Sequence, residues 1–368
     1  SYIQPKADGF DMTPSRDLIE RDILTASIGA ATPRLGLKSV EANLPVEFRA
    51  SGVEGGDVDF AALLESALGA KRSITTTTTT KAAGNTGSVL QIEDADISKF
   101  NVGDIVVVKE PGGHWPVAIT AKTTGVGTAT ITVSPSKTAG SFSASVVISK
   151  SQMYYTANSG HPALSLSYYW ANEILEKAIG CKVKALALDG FETGGTADLK
   201  FGLEGLSFDQ VDGAAPHTPT YDTGLPPLIL KACVFKSGTD IAVNKVGLNL
   251  ANTLAFITST CSPDGKISSR VTKRVLNGTL DPYKDDTSVA YFTEFNAGTE
   301  FSIFLAAYIP SGVAGEITMG SVVGIYLPKC IMTSLKVGDK DDVLIDDIAF
   351  QAVRGADGQT EEMYLGFI

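Results

Sequence analysis

The sequence is short of nearly everything that carries chemistry. It has three histidines, His114, His161 and His217, each beside Pro or Gly in a turn-like stretch, and no HxH or HExxH spacing. Its four cysteines, Cys181, Cys233, Cys261 and Cys330, lie at long, irregular intervals with no CxxC pair. That spacing argues against zinc, and a chain of 368 residues needs no disulfide staples, so small buried thiols are expected. No GxSxG elbow and no GxxxxGK[ST] loop occurs, which removes the commonest hydrolase and phosphate-loop readings. The Gly-rich stretch 189–195 has no helix start behind it and reads as a hairpin turn. No apolar run approaches the roughly 18 residues of a membrane-spanning helix. The opening Ser-Tyr-Ile-Gln-Pro-Lys has no apolar signal core, so secretory export is not expected. Charge is also sparse, at 19 %, and it is acidic: 41 carboxylates against 30 cations give a net charge of −11. Such a surface does not grip nucleic-acid phosphates, because each favourable contact needs Lys or Arg to release counterions. It can still lie beside nucleic acid and repel it.

What is present is core-forming material. Hydrophobic residues make up 43 % of the chain, which excludes disorder, and the length fits one large β domain or two domains. Residues 1–40 are punctuated by Pro, Gly and charge. They read as an extended arm with one short helical possibility over 16–26 and little core of its own. Residues 40–53 alternate as a strand through Val40, Ala42, Leu44 and Val46. A helix follows, with Asp57 and Asp59 as acidic caps, a Phe60, Leu63, Leu64, Leu68 stripe, and Gly69 as its stop. From 71 to 150 six threonines and a series of short strands with Gly turns predict an inserted β-barrel or sandwich module. From 151 to 368 longer strands return, and no second strong helix is expected. The fold class read from the residues is mainly β with one covering helix, plus the inserted β-domain.

No residue set is assigned a catalytic or metal-binding role, and no cofactor is expected. The densest charge, Asp339, Asp341, Asp342, Asp346 and Asp347, lacks the spaced ladder of a calcium loop and reads as a solvated acidic loop. The basic segment Lys266, Arg270, Lys273 and Arg274 has no interleaved aromatics to stack bases. It reads as an exposed hairpin, or as a contact for acidic patches on another copy.

The order of segments resembles the tail tube proteins of long-tailed bacteriophages. Residues 43–52, Asn-Leu-Pro-Val-Glu-Phe-Arg-Ala-Ser-Gly, followed by Leu-Leu-Glu-Ser-Ala-Leu-Gly at 63–69, are similar to that family's "EhRGSG" strand end and LLxAxLG helix. Ala50 stands where Gly is usual. The arm with Arg16, Glu20 and Arg21, the strands around 165–169, 178–183 and 197–205, and the later stretches 232–235 and 246–252 extend the likeness. The resemblance implies two packed antiparallel sheets with one flanking helix, the tube fold at 41–70 and 151–368, with 1–40 as arm and 71–150 as a small inserted β-domain. It implies homohexameric rings stacked helically into a hollow tube, with DNA only as passing cargo and no membrane binding. Other tail proteins (terminator, baseplate or tip, tape measure) would be its partners, in a virion tail assembled in the host cytoplasm. Inter-subunit candidates are Arg16, Glu20, Arg21, Glu47 and Arg49. Lumen-charge candidates are Asp339, Asp341, Asp342, Asp346 and Asp347. The insertion is expected on the outside of the tube, removable without loss of assembly. The alternatives are a surface carbohydrate-binding or adhesin protein and, sharing the fold that the resemblance implies, the tube of a contractile secretion or bacteriocin device.

Overall fold

Alternating and continuous apolar runs, separated by glycine turns, give a chain dominated by antiparallel strands. The computed structural model describes all residues except 1, 22, 24–31, 126, 171–172, 214–217, 219–223, 231, 263 and 355–360. It opens with β1 (Asp11–Ile19), β2 (Arg34–Glu47), α1 (Ala61–Leu68) and β3 (Gly69–Ile74). A six-stranded sheet then holds β4 (Thr78–Thr79), β5 (Val89–Ile92), β6 (Ile105–Glu110), β7 (Gly113–Thr123), β8 (Ala129–Ser134) and β9 (Val147–Ile148). The chain returns through β10 (Ser151–Thr156), β11 (Leu164–Trp170), β12 (Ile174–Asp189), β13 (Asp198–Gly205) and β14 (Ser207–Asp212). Next come β15 (Cys233–Lys236), β16 (Thr239–Asp240), β17 (Val243–Thr258) and β18 (Lys266–Pro282). Last are α2 (Ser288–Ala297), β19 (Phe301–Ala307), β20 (Val323–Lys340), β21 (Val343–Ala352) and β22 (Tyr364–Phe367).

The body is one long pairing path, β1-β2-β13-β12-β17-β18-β21-β20-β19-β15-β16, with β22, β10 and β3 branching from β20 and with β11 and β14 on β12. Strands from distant parts of this path enclose a single core. In it Phe60, just before α1, lies between Phe201 of β13 (ring centroids 6.3 Å) and Phe367 of β22 (5.9 Å). The helix buries Leu63, Leu64 and Leu68 and ends at Gly69, whose φ of 100° is left-handed. Its sequence-predicted acidic caps serve elsewhere: Asp57 takes Lys71 and the Tyr154 hydroxyl, and Asp59 takes Arg49, so no side chain caps the helix.

The six-stranded sheet begins and ends at one place. β3 and β10 are antiparallel neighbours with Ile74 opposite Ser151, so the insertion sits where a hairpin would turn. One face of the insertion carries its own core, with Val106, Val108, Val117 and Ile119. The other face, with Ile105, Val107 and Ala118, packs directly on Phe304, Tyr326, Tyr364 and Met153 of the body. The approach is close: a Cβ on Gly366 would lie 2.7 Å from Ile105 Cβ, so only glycine fits there. An ion pair between Arg72 of β3 and the buried Asp104 crosses the same seam. Burial raises the Asp104 carboxyl above its ordinary pKa, and the Arg72 guanidinium opposes that rise.

Several local expectations are corrected. The arm's 16–26 stretch is not helical where described: β1 pairs with β2, and residues 24–31 lie outside the described residues. Of the six threonines only Thr78 and Thr79 form a strand. A second helix, α2, exists, but it buries only Tyr291 and so lacks the apolar stripe that would announce it. Cys181 and Cys330 are buried and free, with burial pushing the Cys181 thiol up to about 12, whereas Cys233 is half-buried and Cys261 is exposed. His114 lies within β7, its Nδ1 accepting from the Ile317 amide at 3.1 Å, and His217 lies outside the described residues.

His161 gives the fold a pH dependence. Its Nδ1 is 2.9 Å from the Ser66 carbonyl of α1 and its Nε2 is 3.3 Å from the Ala157 carbonyl. Burial depresses the imidazole pKa, and the two carbonyls oppose that fall. With the folded value below the unfolded one, the unfolded chain binds the extra proton. The stability contribution is therefore complete above an unfolded pKa of about 6.5 and is lost as pH falls through and below it. His161→Gln should show a shallower loss of urea midpoint than wild type between pH about 7.5 and 5. Parallel profiles would show that His161 does not titrate across folding.

Candidate assembly surfaces

The first surface is the arm. In the β1–β2 hairpin Arg16 donates to the Gly36 carbonyl at 3.4 Å, and Arg16, Glu20 and Arg21 are exposed. Around them Leu18, Ile19, Ile23 and Leu35 are also exposed, with Leu18 at 62 %. Apolar side chains are therefore displayed on an edge strand, where a row of backbone groups is also free to pair.

Glu47 and Arg49 sit at the end of β2 and just beyond it. Glu47 is half-exposed, but Arg49 is enclosed within its own subunit. Its Nη2 donates to Asp59 Oδ2 at 3.2 Å and its Nη1 to the Gly224 carbonyl at 3.1 Å, while Nε lies 3.8 Å from Glu47. The guanidinium thus ties the strand end to the start of α1 and to the 224–230 segment. That segment displays Leu225, Leu228 and Leu230 and buries Ile229 between them.

A third surface is the β20–β21 hairpin. The reading of residues 339–347 as a loop is corrected: long strands run to a two-residue turn at Asp341 and Asp342, with φ of 51° and 65°. Both turn residues have positive φ, the type I′ arrangement whose twist suits a tight hairpin and which Asp tolerates. Asp339, Asp341, Asp342 and Asp347 are exposed, whereas Asp346 is buried and held by Lys284 at 2.8 Å and by the Ser288 hydroxyl. Among the described residues, no group of three or more His, Cys, Asp or Glu is placed to hold a metal ion.

The broad outer face of β12, β17, β18 and β21 is the fourth surface, and sequence reasoning missed it. On it stand Ala185, Ala187, Asn249, Ala251, Thr253, Ala255, Asn277 and Thr279, all small and uncharged. At one end it turns basic. A β-bulge at Thr272 shifts the register, so Lys273 opposite Thr253 and Arg270 opposite Ala255 share the outer face. Lys182 of β12 joins them there. Arg274 points inward and is neutralised by Glu362 at 2.6 Å. The signal in the sequence was the outward alternation of Asn, Ala and Thr along β17, whose partner strand is too polar to read as a strand.

A family model for phage tail tube proteins matches residues 2–352, nearly the whole chain. The chain therefore belongs to the phage tail tube protein family, and it is a structural component of the phage virion tail. No curated protein matches the sequence.

Proposed function

We propose that this chain is the repeating subunit of the tail tube: six copies close into a ring, rings stack helically, and DNA passes through the bore to the host. The observation that carries the reading is the uncharged middle stretch of the outer face of β12, β17, β18 and β21, between its basic and its acidic end. Along that stretch the Ala, Asn and Thr side chains offer no cation to hold a phosphate and no aromatic ring to stack a base, so a polyanion slides past it. The exposed Asp339, Asp341, Asp342 and Asp347 at one end of that stretch add repulsion, while Asp346 is spent on Lys284. The open edges at β1 and β16, the two ends of the pairing path, are suited to pairing with neighbouring copies, which removes exposed edges by ring closure. Arg16, Glu20, Arg21 and Glu47 would make the neighbouring contacts. The terminator, baseplate or tip and tape-measure proteins of the same tail are the remaining partners, and assembly takes place in the host cytoplasm.

Negative-stain microscopy of the purified protein over a concentration series, beside sedimentation velocity, tests this. Hollow six-fold rings or tubes are expected. A chain that stays monomeric up to its solubility limit contradicts the reading.

A further inference from the structure

The two charged ends of the outer sheet face carry opposite signs and cannot reach each other within one molecule. At the acidic end stand Asp285, Asp286, Asp339, Asp341, Asp342 and Asp347, all exposed, with Lys336 and Lys340 their cationic company among the described residues beyond the Lys284–Asp346 pair. At the other end stand Lys182, Arg270 and Lys273, none of which makes an ion pair among the described residues. Lys266, further along β18, has its ammonium over the Phe256 ring, 4.4 Å from the centroid. Glu204 of β13 is directly opposite Lys182 in the register, but among the described residues it makes no ion pair with any of the three. The registers set the separation. β18 pairs with β21 through Leu276 opposite Ala352 and Leu280 opposite Ile348, and continuing that ladder puts the Asp341–Asp342 turn about 40 Å from Lys273, at roughly 3.3 Å per residue. Over that distance, several Debye lengths at physiological salt, the two patches do not interact within one chain.

We propose that copies of this chain associate head to tail, the acidic β20–β21 hairpin tip of one copy docking on the Lys182–Arg270–Lys273 patch of the next. This deepens, and rests on, the stacked-tube reading. The partner is a second copy because charge complementarity is built in at opposite ends of one rigid sheet, and a heterologous contact of that kind repeats along an axis. The cationic patch is itself strained as a free surface: burial and the Arg270 guanidinium both hold the Lys182 ammonium below the usual lysine range. A carboxylate brought alongside relieves that repulsion.

Charge exchange tests the contact. D286K/D339K/D347K reverses the tip charge while sparing the turn, and R270E/K273E reverses the patch. Each variant alone should assemble only at concentrations about tenfold or more above wild type, because like charges then meet at every contact. An equimolar mixture of the two variants should recover assembly near the wild-type concentration, since each tip then meets an opposite patch. That recovery also shows both variants to be folded, as near-ultraviolet circular dichroism would confirm. If wild type forms tubes and both variants assemble as it does, or if the mixture fails to recover while both variants are folded, the head-to-tail contact is wrong and the tube reading stands. If wild type forms no assembly at any concentration, both fall.

Discussion

Replacing Arg49 with Ala should destabilise the subunit by about 3–5 kcal/mol, the usual consequence of removing one partner from a buried, hydrogen-bonded ion pair. The side chain is 5 % exposed and its partner Asp59 12 %, so water does not make good the loss. Truncation removes the guanidinium that donates to Asp59 and to the Gly224 carbonyl, and so takes away this tie between the strand end and the 224–230 segment. Arg49→Lys should recover only part of the deficit, because an ammonium cannot reach two acceptors in a planar fork. Asp59→Ala should cost a similar amount, and the double variant less than the sum of the two singles. Urea unfolding of the monomer at neutral pH measures all four. A loss under about 1 kcal/mol for Arg49→Ala would return this residue to the role its motif suggests, a contact made with another subunit.

The insertion should prove inseparable from the body. A deletion joining Ile74 to Ser151 through a two-residue Asn-Gly turn is sound for the backbone, since those residues already face each other across a ladder. It nevertheless uncovers Met153, Phe304, Tyr326 and Tyr364, all buried at present, and removes the Asp104 carboxylate that neutralises Arg72. Exposing these four side chains at about 1.5–3 kcal/mol each costs about 6–12 kcal/mol, comparable to the whole stability of a typical domain. The expected product is insoluble or molten, by solubility on expression and by loss of a cooperative melt. This replaces the expectation from sequence that the module could be removed without harm to assembly. A soluble, cooperatively melting product that still forms tubes would restore it.

The sequence carried a warning on that point. Ile105-Val106-Val107-Val108 is a continuous apolar run, and such a strand is covered on both faces, whereas a peripheral module needs only alternation. Elsewhere alternation was a sound guide: Val40, Ala42, Leu44 and Val46 all face the core, and the Phe60, Leu63, Leu64, Leu68 stripe forms the helix expected of it. β18 was not legible because seven of the nine residues from Lys266 to Arg274 are charged or hydroxylated and because the Thr272 bulge breaks the period. Arg49 was misleading for a different reason. A charged residue at a strand end reads as surface, and only the fold brings Asp59 and Gly224 around it. The outer face was hidden because small neutral residues give no pattern of their own until neighbouring strands are set in register.

The entry and exit of the inserted sheet lie side by side, paired across one ladder at a Cα separation of about 5 Å. That junction is an attachment port. A foreign domain whose ends meet at the same spacing can be spliced there without shifting the register of any strand in the body, so each subunit of a tail would display one copy of the cargo. The port has one condition. Whatever is grafted must bring an apolar face shaped to cover Phe304, Tyr326 and Tyr364, so a design that keeps β6 and β7 and exchanges only the distal β5–β8 edge is the one that should tolerate new cargo.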